Sequence, residues 1–289
     1  MRLMRVGEAG SERPAVVSSE DAGTVLLVDS LVGDFDAAFF AGDGVNRLRD
    51  ALGDPSGLPT VDLSAVRIGP PIARPGKIVC VGLNYADHAQ ETGVKLPDEP
   101  PLFMKAPNTV VGPEDEVLIP PRSEKTDWEI ELGVVIGRVA RRETPEQAFS
   151  CIAGLVISND LSERHFQLER GGQWDKGKSC DTFNPLGPLL VTPDEFDWPL
   201  ALSMQLLVNG ELMQDSNTSN LAVDVPGLVS YISTFMTLEP GDLVNTGTPA
   251  GVGLGLHPPR YLKPGDTMEL TIDGLGTQRQ VCRAAEDAS

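Results

Sequence analysis

Two short apolar runs carry three carboxylates to positions where they could meet. Glu129 and Glu131 lie in Thr126-Asp127-Trp128-Glu129-Ile130-Glu131-Leu132-Gly133-Val134-Val135-Ile136-Gly137, and Asp160 closes Leu155-Val156-Ile157-Ser158-Asn159-Asp160. Both runs are rich in Val, Ile and Leu and are expected to be strands, on which side chains two apart share a face. Glu129 and Glu131 then point the same way. Two neighbouring carboxylates beside an apolar run are costly unless a cation sits between them. Asp160, at the carboxyl end of the second strand, offers a third oxygen. An all-carboxylate set suits a hard ion such as Mg2+ or Mn2+, with positions left open for water or substrate. The competing reading is a solvated strand edge of alternating charge.

Other residues could supply acid, base or binding chemistry. His88 and Glu91 lie three apart in a stretch expected to be a short helix, with Asn84 as a candidate N-cap and Gly93 as its stop. A carboxylate beside an imidazole orients the ring and stabilises its charged form, as in a general base. An exposed His next to an incidental Glu is the plain alternative. Leu161 to Arg170 is expected to be a helix ended by Gly171-Gly172, placing Arg164 and Gln167 on one face near the carboxylates; ordinary helix surface is the alternative. Gly172 to Ser179 matches the phosphate-loop pattern GxxxxGK[ST], but charged Glu163 to Arg170 precedes it and Asn184-Pro185 follows closely, which leaves no room for the required strand and helix. Lys178 still stands out, because the chain has only seven lysines and this one sits in a Gly-Lys-Ser turn. Asn245 to Gly255 is glycine-rich, yet His257-Pro258-Pro259 forbids the helix of a dinucleotide fingerprint. A flexible loop that brings backbone amides and Thr248 to an anion fits better.

The elements that must position these residues are mostly strands and turns. Residues 1 to about 66 are expected to give the strands and one short helix of a small appended domain. Ile68 to Gly76, with three prolines and two glycines in nine residues, is expected to be a linker, setting a domain boundary near residue 72. Lys77 to Leu83 has the composition of a buried strand. Thr144-Pro145-Glu146-Gln147 has the order of an N-cap, Pro at N1 and Gln at N3. Leu202 to Val208 and Glu211 to Gln214, joined by Asn209-Gly210, form a hairpin with the dipeptide that a type I' turn needs. Asp224 caps a helix whose Val225, Leu228, Val229, Ile232, Phe235 and Met236 keep core spacing. Leu-x-Pro-Gly-Asp occurs at 238 to 242 and at 262 to 266, each a turn into a strand. Met268 to Ile272 and Gln278 to Cys282 form a last hairpin.

The whole chain limits the function classes. Its 289 residues allow one large domain or two smaller ones, and 40% hydrophobic content with 30 glycines and 24 prolines describes a globular chain with many turns. A net charge of -19 argues against nucleic acid or an anionic membrane surface as partner, and an anionic small substrate needs a local positive site. Four widely spaced cysteines (Cys80, Cys151, Cys180, Cys282) form no CxxC and are expected to be reduced thiols. With no signal-like start and no run of 18 apolar residues, a cytoplasmic, soluble protein is expected.

The motifs Asn84-Tyr85-Ala86-Asp87-His88, Asp127 to Leu132, Asn159 to Arg164, Gln173 to Ser179 and Thr246-Gly247-Thr248-Pro249 resemble, in that order, those of the fumarylacetoacetate hydrolase superfamily. The resemblance runs from about residue 70 to the end. It is closest to the 2,4-diketo-3-deoxy-L-fuconate hydrolase branch, whose relatives are often labelled ureidoglycolate lyase, through Gln167 to Asp181 and Pro258 to Lys263. It implies a β-rich α+β fold, a mixed sandwich or roll at 73–289 behind a small N-terminal α/β domain at 1–72, and a homodimer. It also implies Mg2+ or Mn2+ on Glu129, Glu131 and Asp160, a lid pair His88 and Glu91, an active-site Lys178, and pocket residues Lys105, Arg164, Gln167 and Thr248. Cys180 stands where relatives often carry Phe, and His165-Phe166 replaces the commoner Asp-Leu, so the pocket departs in shape.

The implied reaction follows from these parts. A 2-keto acid chelates a metal, and a bond beyond C3 breaks to leave a pyruvate enolate whose charge the metal and Lys178 stabilise. His88, oriented by Glu91, activates water against the C4 carbonyl of a 2,4-diketo acid, such as one derived from a sugar acid. The alternatives are oxaloacetate decarboxylation, acylpyruvate hydrolysis, isomerisation of the 2-hydroxyhepta-2,4-diene-1,7-dioate type, and, outside enzymes, a silent metal-binding structural protein.

Overall fold

The strand Ile130–Ile136 alternates as its sequence requires. Ile130, Leu132, Val134 and Ile136 enter one core cluster, while Val135 enters another on the opposite face. Glu131 therefore lies on the face away from Ile130 and Leu132. In the computed structural model, which describes all residues except 18–22, 54, 88–96 and 287–289, this strand runs antiparallel to Ile152–Asn159 on one side and to Leu243–Asn245 on the other. The three are central to an eleven-stranded sheet. Its order is Thr60–Asp62, Thr24–Leu27, Arg13–Val17, Arg2–Val6, Leu190–Val191, Ile152–Asn159, Ile130–Ile136, Leu243–Asn245, Ile78–Val81 and Leu102–Lys105, with Ile68–Gly69 paired to Arg2–Val6 off this path.

A second, five-stranded sheet runs Glu211–Asn217, Ser203–Val208, Thr267–Ile272, Gly276–Ala284 and Val117–Ile119. Its Met204, Leu206, Val208, Met268, Leu270 and Ile272 share the core cluster of Ile130, Leu132 and Val134, so the two sheets pack face to face. Each such side chain contributes about 1.5–3 kcal/mol when fully buried. This is the β-rich α+β sandwich expected. Among the described residues no helix is long and apolar enough to cross a membrane.

Local chemistry sets the connections. Thr144 accepts from the Gln147 amide while the Gln147 side chain accepts from the Thr144 amide, a complete capping box on Pro145–Phe149. Asn209 and Gly210, at φ 53 and 79, make the turn between Val208 and Glu211. Both Leu-x-Pro-Gly-Asp turns close alike: Asp242 accepts from the Glu239 amide at 2.7 Å and Asp266 from the Lys263 amide at 2.8 Å. Cys80, Cys151, Cys180 and Cys282 are all free thiols.

Several elements differ from expectation. The N-terminal region holds two helices instead of one, Ala37–Ala41 and Gly44–Ala51, because Asp43 turns left-handed at φ 56 between them. The expected linker begins as a strand: Ile68–Gly69 pairs with Arg5 and Val6, and Pro70 and Pro71 follow only after the pairing has ended. Arg2 and Leu3 pair with Val191 and Leu190, so the backbone hydrogen bonding of the N-terminal strands continues into the sheet that carries Glu131. Leu161 to Arg170 is not one helix but the short strand Ser162–Glu163 followed by a π-helical turn, His165–Glu169. Phe235 leaves the core and lies 58% exposed, since its helix Val225–Phe235 ends there and its ring packs edge-on against Tyr231.

Candidate active site

Strand register brings the three carboxylates together. Ile130 pairs with Asn159, and the Asp160 amide donates to the Glu129 carbonyl at 2.9 Å, so Asp160 emerges beside Glu129 as the strands part. One oxygen from each of Glu129, Glu131 and Asp160 lies within 4.8 Å of the others. All three residues are buried, which rules out a solvated strand edge.

Three buried cations surround them. Lys178, at the end of the single-turn helix Asp175–Lys178, places Nζ 2.6 Å from Oε2 of Glu129 and 2.7 Å from Oδ2 of Asp160. Its ammonium serves carboxylates, so the phosphate-loop spelling around it describes no phosphate cradle. Lys105 donates to the other Asp160 oxygen at 2.5 Å and to the Leu161 carbonyl at 3.0 Å. Arg164 spans Glu129 at 2.6 Å, Asp127 at 2.8 Å and the side-chain oxygen of Gln167 at 3.0 Å.

The glycine-rich segment approaches anions as expected, but they are the protein's own. Gly247, at φ 101, donates its amide to Oε2 of Glu131 at 2.8 Å, and a Cβ there would sit 3.1 Å from the Val81 carbonyl. Gly253 and Leu254 donate theirs to Asp127 at 2.6 and 3.0 Å, and a Cβ on Gly253 would fall 2.0 Å from the Arg260 carbonyl oxygen. Thr248 donates its hydroxyl to the Ile130 carbonyl at 2.9 Å.

These contacts set the protonation states. Burial alone would raise Glu129, but Lys178 and Arg164 overcome it and hold the carboxylate down at about 2. Burial would likewise lower Lys178, yet Asp160 and Glu129 push it well above its ordinary value, and it stays an ammonium. Glu131 moves the other way: burial, then the charges of Asp160 and Glu129, raise it well above 4.5. Among the described residues no ammonium or guanidinium forms an ion pair with Glu131. A buried carboxylate left uncompensated costs several kcal/mol, and a hard divalent ion between three such oxygens removes that cost. The donor set therefore fits a metal.

Comparison with known proteins agrees with this geometry. Residues 77–283 match the family model described as fumarylacetoacetate (FAA) hydrolase C-terminal. The chain belongs to this family. A Burkholderia ambifaria protein named only in general terms, as a hydrolase, is 46% identical over 286 residues, covering 99% of this chain and 100% of its own. The crystal structure of fumarylacetoacetate hydrolase from Exiguobacterium antarcticum is similar at 35% identity and a TM-score of 0.86, covering 99% of this chain and 100% of its own. That of maleylpyruvate hydrolase from Sphingobium sp. SYK-6, in complex with manganese(II) ion and pyruvate, is similar at 28% identity and a TM-score of 0.81, with the same coverage.

In this family member two of the three carboxylates, Glu129 and Glu131, open on a cleft of about 330 Å³, whose polar side they form with Arg164, Gln167, Lys178 and Thr248. Lys105 is placed differently. It is sealed beneath Asp160 with no exposed side-chain surface, so it holds a carboxylate and does not face the cleft. His88 and Glu91 lie outside the described residues. Asn84 does not spend its side chain on a helix cap; it donates to the Val223 and Thr246 carbonyls and accepts from the Val223 amide, tying the start of this segment to the Thr246-Gly247-Thr248 loop.

Two residues without a role in the sequence reading matter here. Asp127 takes Arg164 on one oxygen and the Gly253 amide on the other, joining the loop to the cluster. Its place in Asp127-Trp128-Glu129 was the available signal. Gln214 accepts from the Ile130 amide at 2.9 Å and donates to Thr248 at 2.8 Å and to the Pro249 carbonyl at 2.9 Å. Nothing local marks it, because its partners lie more than thirty residues away.

Proposed function

We propose that this protein is a divalent-metal-dependent hydrolase that cleaves a carbon-carbon bond of a 2,4-diketo acid and releases pyruvate. The observation that carries the reading is the set of three buried carboxylates with a buried ammonium, Lys178, bonded to two of them. The manganese(II) ion and pyruvate of the similar maleylpyruvate hydrolase support it. Glu129, Glu131 and Asp160 would hold Mg2+ or Mn2+, which would supply Lewis acidity toward a bound 2-keto acid.

The residues divide the remaining work. Water adds to the C4 carbonyl, the C3–C4 bond breaks, and its electron pair passes to C3 as the enolate of pyruvate, which then takes a proton; the other fragment leaves as a carboxylate. Lys178, fixed as a cation, favours the developing enolate charge. Arg164 holds Glu129 ionised and in place. Neither can remove a proton from water, Glu129 is too weak a base, and Glu131, though raised, would be committed to the metal. We assign that step to His88, oriented by Glu91, as a general base.

Steady-state assays of the Mg2+- and Mn2+-loaded protein against 2,4-diketo acids, acylpyruvates and oxaloacetate test the reading. Release of pyruvate with the matching carboxylic acid is expected. Carbon dioxide from oxaloacetate with no turnover of any diketo acid replaces hydrolysis by decarboxylation.

A further inference from the structure

Within the keto-acid reading, the cleft also constrains the far end of the substrate. Beyond the carboxylates its wall is apolar. Phe103 lies under Lys178, with Nζ 4.9 Å from the ring centroid, and Trp174 packs edge-on against Phe103 at 5.4 Å. Leu83, at the unfavourable φ of 54, turns the chain out of the strand Ile78–Val81 to complete that wall. At the rim two large side chains face solvent, Leu168 at 46% and Leu254 at 38% exposure. Leucines held in water beside a cleft gain when an apolar group covers them.

The charges point the same way. The four acidic groups Asp127, Glu129, Glu131 and Asp160 face the three basic groups Lys105, Arg164 and Lys178. Fully ionised, the cluster has one negative charge in excess, and a divalent ion turns this into one positive charge in excess. A single substrate carboxylate cancels it; a second does not. Among the described residues lining the cleft, the only cations are Arg164 and Lys178, and each already bridges two carboxylates. A carboxylate at the far end would be set among Phe103, Trp174, Leu168 and Leu254 with no cationic partner among the described residues beyond the two already engaged, an unfavourable environment for a charge.

We infer that the substrate is a monoanionic keto acid with an apolar tail, and that Leu168 and Leu254 select against a terminal carboxylate. A polyhydroxylated tail of the sugar-acid kind is disfavoured by the same wall, whose tail end offers few hydrogen-bonding groups among the described residues.

Binding of non-cleavable 2-oxo acids separates this inference from the reaction itself. The probes are 2-oxohexanoate and 2-oxooctanoate against the dioates of equal carbon number, 2-oxoadipate and 2-oxosuberate, titrated calorimetrically into the Mn2+-loaded protein. Each monoacid should bind at least about tenfold more tightly than its dioate, and the longer monoacid more tightly than the shorter by up to about fourfold per methylene. Leu168→Arg and Leu254→Arg, substitutions at exposed positions, should narrow or reverse that preference without loss of Mn2+ affinity. Dioates that bind as tightly as the monoacids overturn this inference and leave the hydrolase reading standing. Failure of all four to bind overturns both.

Discussion

The ammonium of Lys178 lies 2.6 Å from Oε2 of Glu129, with both side chains buried. Each partner fixes the charge of the other, raising Lys178 and holding Glu129 down at about 2. Lys178 is thus a permanent cation and hydrogen-bond donor, unsuited to act as a base. Its worth to catalysis lies in meeting charge that appears only as the carbon-carbon bond breaks.

Lys178→Met should lower kcat by about 100- to 1000-fold, the scale for loss of one preorganised donor. Metal-free stability should fall as well. Because Glu129 keeps Arg164 and Asp160 keeps Lys105, the loss should be smaller than the about 3–5 kcal/mol typical of a buried charge stripped of its partner. Denaturant melts with and without Mn2+, beside steady-state rates, check both effects, and an unchanged kcat would remove Lys178 from the mechanism.

Glu131→Ala separates metal binding from stability. Glu131 has no ion-pair partner among the described residues, but its removal leaves the buried Gly247 amide without its acceptor, so the two effects oppose and metal-free stability should change by no more than about 1–3 kcal/mol. The stabilisation by metal, about 2.7 kcal/mol when free ion stands at 100 times its dissociation constant, should vanish along with activity. Exhaustive EDTA treatment of the wild type should abolish turnover, and Mg2+ or Mn2+ should restore it. Full activity after chelation would end the metal reading.

The same carboxyl predicts a pH dependence. Its folded-state value is raised above 4.5, so the metal-free folded protein keeps a proton that the unfolded chain has lost. That contribution to stability is complete below about 4.5 and declines as pH rises through the folded value. Metal binding expels the proton, so affinity should increase with pH over this window, with proton release measurable by calorimetry in buffers of different ionisation enthalpy. Binding without proton uptake or release anywhere in the window would show that Glu131 is already ionised.

How far the sequence reaches can be judged from particular residues. The expected strand breaks at Trp128–Glu129, so Glu129 stands just before the strand Ile130–Ile136 and not within it, whereas Glu131 and Asp160 were legible because strand alternation and a strand end are local properties. The hairpin at Asn209-Gly210 and the capping box at Thr144 were legible for the same reason. Lys105 beneath Asp160 and Gln214 on Ile130 were not, since strand order and long-range register put them there. The segment after Asp160 reads as one helix because local spacing shows neither the pairing of Ser162–Glu163 with Thr126–Asp127 nor the difference between a π-helical and an α-helical turn.

The last prediction concerns His88, which lies outside the described residues, and so rests on the chemistry that the described residues of the cleft do not supply. Among the described residues Glu129 is too acidic, Glu131 is committed to the proposed metal, and Lys178 and Arg164 are cations throughout. Water attack at C4 needs a base, whereas decarboxylation of oxaloacetate does not. His88→Ala should therefore reduce hydrolysis of a 2,4-diketo acid by about 100-fold or more, while any oxaloacetate activity falls much less. Wild-type hydrolysis should also decline at acidic pH as the imidazole takes a proton and can no longer accept one from water. Glu91→Gln should reduce the rate in the same direction and shift the acidic limb, since a neutral amide no longer stabilises the imidazolium. Equal losses of both activities in His88→Ala would mean that the residue shapes the site without serving as its base.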